Sequence, residues 1–288
     1  MFGSDIVRLA RLCVRSLAFA LRPRGKRANG VVAKAINAVA AGTFNTIELS
    51  EARTRHWANF AEEHNSRKSG LFDWESRFYR PFIGPGRRLL VVGAGSGRDV
   101  LCFLREGCVV TAIDEATDAL ESLHRRLARA ELTACVRPFS ITDFETDDRF
   151  EVIIFSWLAY ILIPLRASRI TALRRAARVL DSNGVILISY KPGKGSPVLS
   201  WISRAVARLL GGTPPEDIEQ FNLSGSASLP RVYQSRFYTP EEIEGEAREA
   251  GLEVVQHHHG SPGWEDPAWV VLARVSQSLD LAVAGPAV

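Results

Sequence analysis

An apolar run that breaks into alternating glycines constrains the fold of this 288-residue chain more than any other feature. Residues Leu89–Val92 have the composition of a buried strand, and Gly93, Gly95 and Gly97 follow it before a helical stretch. Glycine has no Cβ, so a ligand can approach the backbone there and the turn can adopt positive φ angles. The pattern predicts a nucleotide-binding turn. Dinucleotide sites have Gly or Ala at the sixth motif position, and Arg98 in that position disfavours a pyrophosphate ligand.

From about residue 86, strand-like runs alternate with helical stretches, which is typical of a parallel sheet covered by helices on both faces. The turn between the last two runs is too short for a parallel crossover, so the last strand should run antiparallel. The predicted fold class is therefore α/β, with a doubly wound, seven-stranded, mostly parallel sheet. Its strands are Leu89–Val92, Val109–Ile113, Ala134–Arg137, Phe150–Phe155, Val185–Tyr190, Leu252–Gln256 and Trp269–Val275.

Helix signals fill the gaps between these strands. Asn183-Gly184 predicts the end of the third helix, and Thr239 followed by Pro240 predicts the start of the fourth. The four predicted helices are Asp99–Glu106, Ala116–Arg129, Pro164–Leu180 and Pro240–Ala250.

The same pattern divides the chain. We predict an N-terminal helical arm and cap over residues 1–85, a core over 86–276 and a C-terminal tail over 277–288. Residues 191–239 form an insertion after the fifth strand, and insertions at that edge line the ligand face of such sheets. We therefore expect the substrate to be selected there.

Positive charge is concentrated at the N-terminus. Residues 1–36 carry eight basic side chains and one acidic side chain, although the whole chain has a net charge of only +4. Within Ile6–Leu21, the arginines fall on one helical stripe among apolar residues, and Pro197–Leu210 repeats the pattern. Each helix either packs on protein, in this chain or a second subunit of an oligomer, or lies in a membrane interface with its basic stripe toward the headgroups. We favour packing, and keep peripheral membrane contact through residues 1–30 as the alternative.

Hydropathy, targeting signals and cysteine spacing bear on the cellular compartment of the protein. No stretch is apolar enough to span a bilayer, and arginines interrupt any secretory signal, although an Arg-rich leader leaves a mitochondrial transit peptide as an alternative. The four cysteines have neither disulfide nor zinc-site spacing, so reduced, mostly buried thiols are expected. We expect a cytoplasmic protein that does not bind nucleic acid and is membrane-associated if the N-terminal helix binds lipid.

The segment from Arg87 to about Val275 resembles the class I S-adenosylmethionine-dependent methyltransferases. Gly93, Gly95 and Gly97 match the family's GxGxG turn, and Asp114 matches the acidic residue that ends its second strand. The resemblance implies a Rossmann-like fold with S-adenosylmethionine as the cofactor. Independently, Asp114 follows the glycines by roughly twenty residues, the spacing at which the next parallel strand brings a carboxylate to the ribose hydroxyls.

The resemblance implies further cofactor contacts. Ser140-Ile141 aligns with the pair that contacts adenine, with Asp143 as the alternative to Ser140. Ser156 and Trp157 should lie against the adenosyl and methionine parts, and Arg98 or Asp99 should contact the methionine end. The predicted cofactor-binding residues are Gly93, Ala94, Gly95, Gly97, Arg98, Asp114, Glu115, Ser140, Ile141, Ser156 and Trp157.

The acceptor is less constrained by the sequence. A sulfonium methyl is already activated, so the protein need mainly hold an acceptor in line with it. A general base would help a hydroxyl acceptor; the candidates by position are Tyr160, Tyr190, Lys191, His56 and His64, although a structural role is the commoner use of such residues.

Several motifs of related enzymes are missing from this sequence, and their absence limits the metal dependence and the substrate class that we expect. Ser156-Trp157 and Tyr190-Lys191 end the fourth and fifth strands, where metal-dependent relatives place carboxylates, so the reaction should not need a metal. The motifs of DNA and protein arginine methyltransferases are also missing. His257-His258-His259 is a structural or surface feature on this reading, because neighbouring strand residues point to opposite faces.

The predicted function is therefore methyl transfer from S-adenosylmethionine to O or N of a small molecule, with amphiphilic or lipid-like acceptors attractive if the helices touch lipid. Two alternatives stay open. One is an aminopropyltransferase that uses the decarboxylated cofactor, and the other is a non-catalytic, membrane-associated module that retains the cofactor pocket.

Overall fold

A computed structural model describes residues 2–23, 30–64, 70–163, 165–193, 196–210, 220–261 and 266–275. The α-helices are α1 Phe2–Leu21, α2 Val31–Ala41, α3 Thr46–His64, α4 Asp73–Tyr79, α5 Arg98–Arg105, α6 Thr117–Ala130, α7 Arg166–Val179, α8 Pro197–Leu209 and α9 Pro240–Glu249. The strands are β1 Arg88–Val92, β2 Val109–Ile113, β3 Cys135–Arg137, β4 Phe150–Phe155, β5 Leu180–Pro192, β6 Gln220–Gly225, β7 Pro230–Ser235, β8 Phe237–Tyr238, β9 Leu252–His258 and β10 Ala268–Arg274. A 3₁₀ segment covers Ser156–Leu162.

The chain forms two compact units. The first contains residues 1–59 and 194–237, and the second contains residues 60–193 and 238–288. The predicted limits at residues 85 and 276 stay predictions, but α4, which falls inside the predicted arm, belongs to the second unit. Its Phe78 stacks on Trp269 of β10 with ring centroids 4.3 Å apart.

The second unit contains the predicted sheet. Seven strands of this sheet follow the order β3-β2-β1-β4-β5-β10-β9, and the two-residue strand β8 also pairs with β5. The pairs from β3 to β5 are parallel, and β10 runs antiparallel to both β5 and β9. The fold class is thus confirmed, including the antiparallel last strand. Because β1 and β4 are neighbours whose chain connections leave in opposite directions, a crevice forms at the carboxyl edge beside β1, where such folds bind ligands.

One predicted boundary was wrong. The third predicted helix, α7, ends at Val179, and Asn183-Gly184 lies inside β5 and does not end a helix. The strand starts early because Leu180 already pairs with Phe150 of β4, after which the register shifts. Gly184 is needed there because an added Cβ would lie 3.0 Å from the Glu151 carbonyl oxygen.

Apolar side chains fill both faces of the sheet. The centres of β1, β4 and β5 are almost fully buried, as expected for parallel strands covered by helices on both sides. The cysteines are free, as predicted, but Cys13 and Cys135 are exposed, so the expectation of mostly buried thiols was only half right.

The first unit has its own smaller core. Helices α1 and α2 and the antiparallel hairpin β6–β7 enclose Phe44 and Phe221, whose rings lie 5.9 Å apart. The hairpin was not predicted, although β6 alternates polar residues with the buried Phe221 and Leu223. No described helix is long and apolar enough to cross a membrane.

A buried ion pair holds α7 against α9. Arg169 is fully buried, and its Nη2 donates to Glu246 Oε1 at 2.8 Å. The hydroxyl of Tyr160 donates to the other carboxylate oxygen at 2.7 Å. Buried charges of this kind are tolerated only when paired and hydrogen-bonded, so removal of one partner should be costly.

We predict that Glu246→Ala destabilises the protein by about 3–5 kcal/mol, because it leaves the Arg169 charge buried without its carboxylate. The matched control is Glu249→Ala on the same helix, whose half-exposed pair with Arg166 should contribute about 1 kcal/mol or less. Urea unfolding of both variants measures the difference. Equal losses would show that the buried pair has no special role.

Candidate cofactor site

The glycine turn between β1 and α5 has the predicted left-handed backbone. Gly93, Gly95 and Gly97 have φ angles of 73°, 52° and 82°. A Cβ on Gly93 would lie 2.7 Å from the Cβ of Ala159, so that position has no room for a side chain. A Cβ on Gly95 would meet nothing within 4 Å. Gly95 therefore leaves open space beside exposed backbone, which is the space a ligand would fill.

Asp114 lies beside this turn at the end of β2. Its Oδ2 accepts from the backbone N–H of Gly95 at 2.8 Å, and its Oδ1 accepts from the N–H of Ala116 at 2.8 Å. Burial raises the pKa of the Asp114 carboxyl, while these two N–H groups act in the opposite direction. A carboxylate has about four acceptor positions, so each oxygen can still accept from a hydroxyl group.

Arg98 and Asp99 belong to a buried network. The Nη2 of Arg98 lies 2.6 Å from Glu75 Oε1 and 2.7 Å from Asp99 Oδ1. The Oγ of Ser156 donates to Asp99 Oδ2 at 2.5 Å. These contacts engage the side chains of Arg98, Asp99 and Ser156, so in this structure they fix the turn and β4 relative to α4.

Burial and the neighbouring Asp99 carboxylate raise the pKa of Glu75, and the Arg98 guanidinium opposes them. The guanidinium also lies 4.5 Å from the centre of the Phe72 ring. Sequence reasoning missed Glu75. Its only signal was an acidic residue in a short segment rich in aromatics, and nothing local linked it to Arg98, 23 residues later.

The backbone after β4 is strained. Trp157 and Leu158 have φ angles of 30° and 66°, which side-chain-bearing residues rarely adopt. The N–H of Leu158 donates to Ser189 Oγ of β5 at 3.1 Å and helps hold this conformation. Strain of this kind is often found at ligand sites, and the partly exposed Trp157 is one of the predicted cofactor residues.

The remaining predicted cofactor residues lie close to the turn or after β3. Ala94 is buried within the turn, and Glu115 is exposed next to Asp114. Ile141 is buried in the core, and Ser140 Oγ accepts from the hydroxyl of Thr142 at 2.9 Å. Asp143, the alternative to Ser140, is exposed.

The candidate bases separate into different environments. Tyr160 is fully buried, and its bond to Glu246 places its hydroxyl in the α7–α9 network. The Tyr190 hydroxyl lies 2.5 Å from Nε2 of His257. His56 contacts Tyr233 in the first unit, and the side chain of His64 lies outside the described residues. Tyr160 is thus better suited to a structural role than to contact with a substrate.

Lys191 follows Tyr190 at the carboxyl end of β5 and is buried. Because side chains alternate along a strand, Lys191 points to the face opposite Tyr190, the face of Ser189. Burial lowers the pKa of its amine from 10.5 to about 7.

An aromatic stack on that face was also missed. Trp269 pairs with Ser189, and its ring lies between Phe78 and His258, whose ring centroids are 4.3 Å and 5.3 Å away. His258 Nε2 lies 2.9 Å from Asp266 Oδ1, while His257 is bonded to Tyr190. The two histidines therefore have separate partners, and no metal-binding group of His, Cys, Asp and Glu occurs among the residues the structure describes.

Comparison with known proteins agrees with this architecture. Residues 89–184, from β1 into β5, match a family model described as a methyltransferase domain. This segment, together with the fold, makes the chain similar to the class I S-adenosylmethionine-dependent methyltransferases. The resemblance read from the glycine turn and Asp114 is thus confirmed, as are the enzyme class and the cofactor.

Individual relatives are distant. A curated relative, the cypemycin N-terminal methyltransferase from a Streptomyces species, is 26% identical over 199 residues, which are 65% of this chain and 79% of that protein. The CcbJ methyltransferase from Streptomyces caelestis is 15% identical, with a TM-score of 0.57, over 77% of this chain and 98% of that one. The glycopeptide N-methyltransferase MtfA, complexed with S-adenosyl-L-homocysteine, is 19% identical, with a TM-score of 0.51, over 75% and 95% of the two chains.

We predict that Asp114→Ala weakens binding of S-adenosylhomocysteine by about tenfold to a hundredfold, since hydrogen bonds to a charged group contribute about 1.5–3 kcal/mol. Asp118→Ala, an exposed carboxylate on the first turn of α6, is the matched control and should bind like the wild type. Isothermal titration calorimetry measures both. Wild-type affinity in Asp114→Ala would contradict the assigned ribose position.

Proposed function

We propose that this methyltransferase transfers the methyl group of S-adenosylmethionine to nitrogen of a small molecule or peptide amine, without a metal. The observation that carries the proposal is the pairing of the open space at Gly95 with the acceptor positions of Asp114, which fits the ribose of this cofactor. The cofactor supplies a methyl group already activated on a sulfonium, so the protein must chiefly bind and orient the acceptor.

We assign the cofactor contacts to the predicted residues with one change. Gly93, Gly95 and Gly97 allow close approach of the ligand, and Asp114 accepts from the ribose. Arg98, in contrast, acts through Glu75 and Asp99 as a positioning residue, because its guanidinium is engaged by both carboxylates. Trp157, with its strained backbone, is assigned to the wall of the cofactor site.

We assign the acceptor to the sheet edge where the carboxyl end of β5 lies beside the amino end of β10. Lys191 and the stacked rings of Trp269 and Phe78 share the face of Ser189, whose hydroxyl holds the strained segment after β4. The aromatic stack offers an apolar wall, and Lys191 offers a base. Such a combination of apolar wall and few polar groups is typical of small-molecule sites.

Nitrogen is favoured over oxygen for two reasons. The cypemycin relative and MtfA are both named as N-methyltransferases or N-terminal methyltransferases. An amine also needs only to lose the proton of its ammonium form before it reacts, and a base with a pKa near 7 is suited to accept that proton.

Metal independence rests on the ligand chemistry at the same edge. Ser156 and Trp157 follow β4, and Tyr190 and Lys191 end β5, so neither position offers a carboxylate for a hard cation. Among the residues that the structure describes, Ser156 contacts the carboxylate of Asp99, which is already bound by Arg98.

The test uses paired acceptors. A short peptide with a free N-terminal amine is compared with its N-acetylated form, and dodecylamine is compared with dodecanol. Formation of S-adenosylhomocysteine, measured by mass spectrometry, should require the free amine and persist in EDTA, and Asp114→Ala should raise the S-adenosylmethionine concentration that it needs about tenfold to a hundredfold.

Other outcomes would contradict the proposal. Turnover only with dodecanol would assign an oxygen acceptor, and loss of turnover in EDTA would assign a metal. Cofactor binding without turnover of any amine would count against the amine assignment. Tighter binding of decarboxylated S-adenosylmethionine would favour an aminopropyltransferase.

We predict that Lys191 titrates close to pH 7, because burial disfavours its charged form. The chain has only five lysines, so ¹³C NMR of the lysine ε-carbons can follow each one. One resonance should titrate near pH 7 and disappear in Lys191→Met. Titration of all five above pH 9 would contradict the prediction.

The lowered pKa of Lys191 also makes the free energy of unfolding depend on pH. Between pH 7 and 10.5 the unfolded state binds more protons at Lys191 than the folded state, so the free energy of unfolding rises with pH there. The slope is at most about 1.4 kcal/mol per pH unit. Lys191→Met should lose this rise in denaturant unfolding at pH 7 and pH 9.5, and an unchanged slope would assign it to other groups.

A further inference from the structure

Helix α1 turns Arg15, near its C-terminal end, toward the protein, whereas Arg8 is exposed. Arg15 is only 4% exposed, and its Nη2 donates to the Thr43 carbonyl oxygen at 2.7 Å and to Glu48 Oε2 at 2.8 Å. The Arg15 guanidinium also lies 4.0 Å from the centre of the Phe44 ring. Arg22, which directly follows the last residue of α1, donates to the carbonyl oxygen of Leu223. The sequence pattern did not predict this orientation, since either reading of the helix left the arginines at a surface.

The opposite side of α1 is apolar and exposed. At 3.6 residues per turn, its large side chains lie away from Arg15 and Arg22 on one half of the helix. Ile6 is 67% exposed and Leu17 is 59% exposed, and the exposed residues of this face are Ile6, Leu9, Leu12, Leu17 and Leu21. Single exposed apolar residues are ordinary, but five large ones on one helix face, which also carries Asp5 and Ser16, indicate a binding surface.

Helix α8 carries a second exposed apolar group. Its buried side, at Ser203 and Ala207, packs so closely on α2 that a Cβ on Gly42 would lie 2.5 Å from the Ser203 carbonyl oxygen. Its outer side exposes Trp201 at 67% and Leu209 at 83%. Arg204 and Arg208 are exposed on the same helix. Tryptophan with flanking arginines is the composition of helices that lie in a membrane interface.

Charge favours lipid over a second copy of the chain. The first unit, residues 1–59 and 194–237, has 15 Lys and Arg against 6 Asp and Glu, a net +9, whereas the whole chain is +4. Arg8, Lys34, Arg204 and Arg208 are exposed within it. Two such units would repel each other, but an anionic leaflet attracts basic groups near its surface.

We propose that the first unit docks on an anionic lipid surface, with the apolar face of α1 and Trp201 of α8 inserted at the boundary between headgroups and acyl chains. The exposed cations supply attraction to the headgroups, and the apolar face supplies insertion. The inward arginines hold α1 by Glu48, Thr43 and Leu223, so the apolar face stays presented. This surface is independent of the proposed amine acceptor.

The test is co-sedimentation of the full-length protein with vesicles. Phosphatidylcholine vesicles are compared with vesicles that also contain phosphatidylglycerol. Wild-type protein should sediment with the anionic vesicles at least tenfold more strongly than with the neutral ones, and raising salt from about 0.15 M to about 1 M should weaken the binding.

Two variants test whether vesicle binding comes from insertion of the apolar face of α1 or from nonspecific adsorption of exposed apolar residues. The double variant Leu9→Ser/Leu17→Ser should reduce binding to anionic vesicles about tenfold or more, without loss of S-adenosylhomocysteine binding, because both side chains are exposed. Val109→Thr, which alters an exposed apolar residue of the second unit, is the matched control and should bind vesicles like the wild type.

Three results would overturn the proposal. Wild-type protein could fail to sediment with either vesicle, or the double variant could bind as strongly as the wild type. Light scattering could also show a wild-type dimer that becomes monomeric in the double variant without any vesicle binding, which would assign the apolar face to a second copy of the chain.

Discussion

The cofactor site depends on a buried set of charges that joins three separate segments. Glu75 of α4, Arg98 and Asp99 of α5, and Ser156 after β4 are linked by contacts of 2.5–2.7 Å. A charge buried without a partner costs several kcal/mol. If one of these segments moved away, the buried charges on the others would lose their partners, so the three segments hold one another in place. The glycine turn between β1 and α5 is thereby fixed before any ligand arrives, and such preorganisation reduces the cost of binding.

Two acidic residues near the turn, Asp99 and Asp114, have different kinds of hydrogen-bond partner. Asp99 is buried and is bound by the side chains of Arg98 and Ser156, whereas Asp114 is only partly buried and accepts backbone N–H groups at both oxygens. Sequence reasoning placed Arg98 and Asp114 together as ligands of the cofactor. We therefore propose Asp114 as the direct contact and Arg98 as a residue that acts through its carboxylate partners.

The elements that were predicted correctly are those with local signals. Alternating apolar runs gave β2 and β4 their observed limits, and the short final connection gave the antiparallel β10. Long-range pairs had no such signal: Glu75 lies 23 residues from Arg98, and Arg15 lies 33 residues from Glu48. The Asn183-Gly184 stop signal failed because pairing of Leu180 with β4 outweighed local turn preference. The helix α1 pattern was recognised, but only tertiary partners decided which face turned inward.

We propose that Asp114 holds the ribose of S-adenosylmethionine beside the glycine turn. A crystal structure of the protein with S-adenosylhomocysteine is the decisive experiment. We expect both ribose hydroxyls within hydrogen-bond distance of the Asp114 carboxylate and ligand atoms in the open space beside Gly95, with the Arg98 pair to Glu75 intact. A ribose bound elsewhere, or a ligand carboxylate that displaces Glu75 from Arg98, would contradict it.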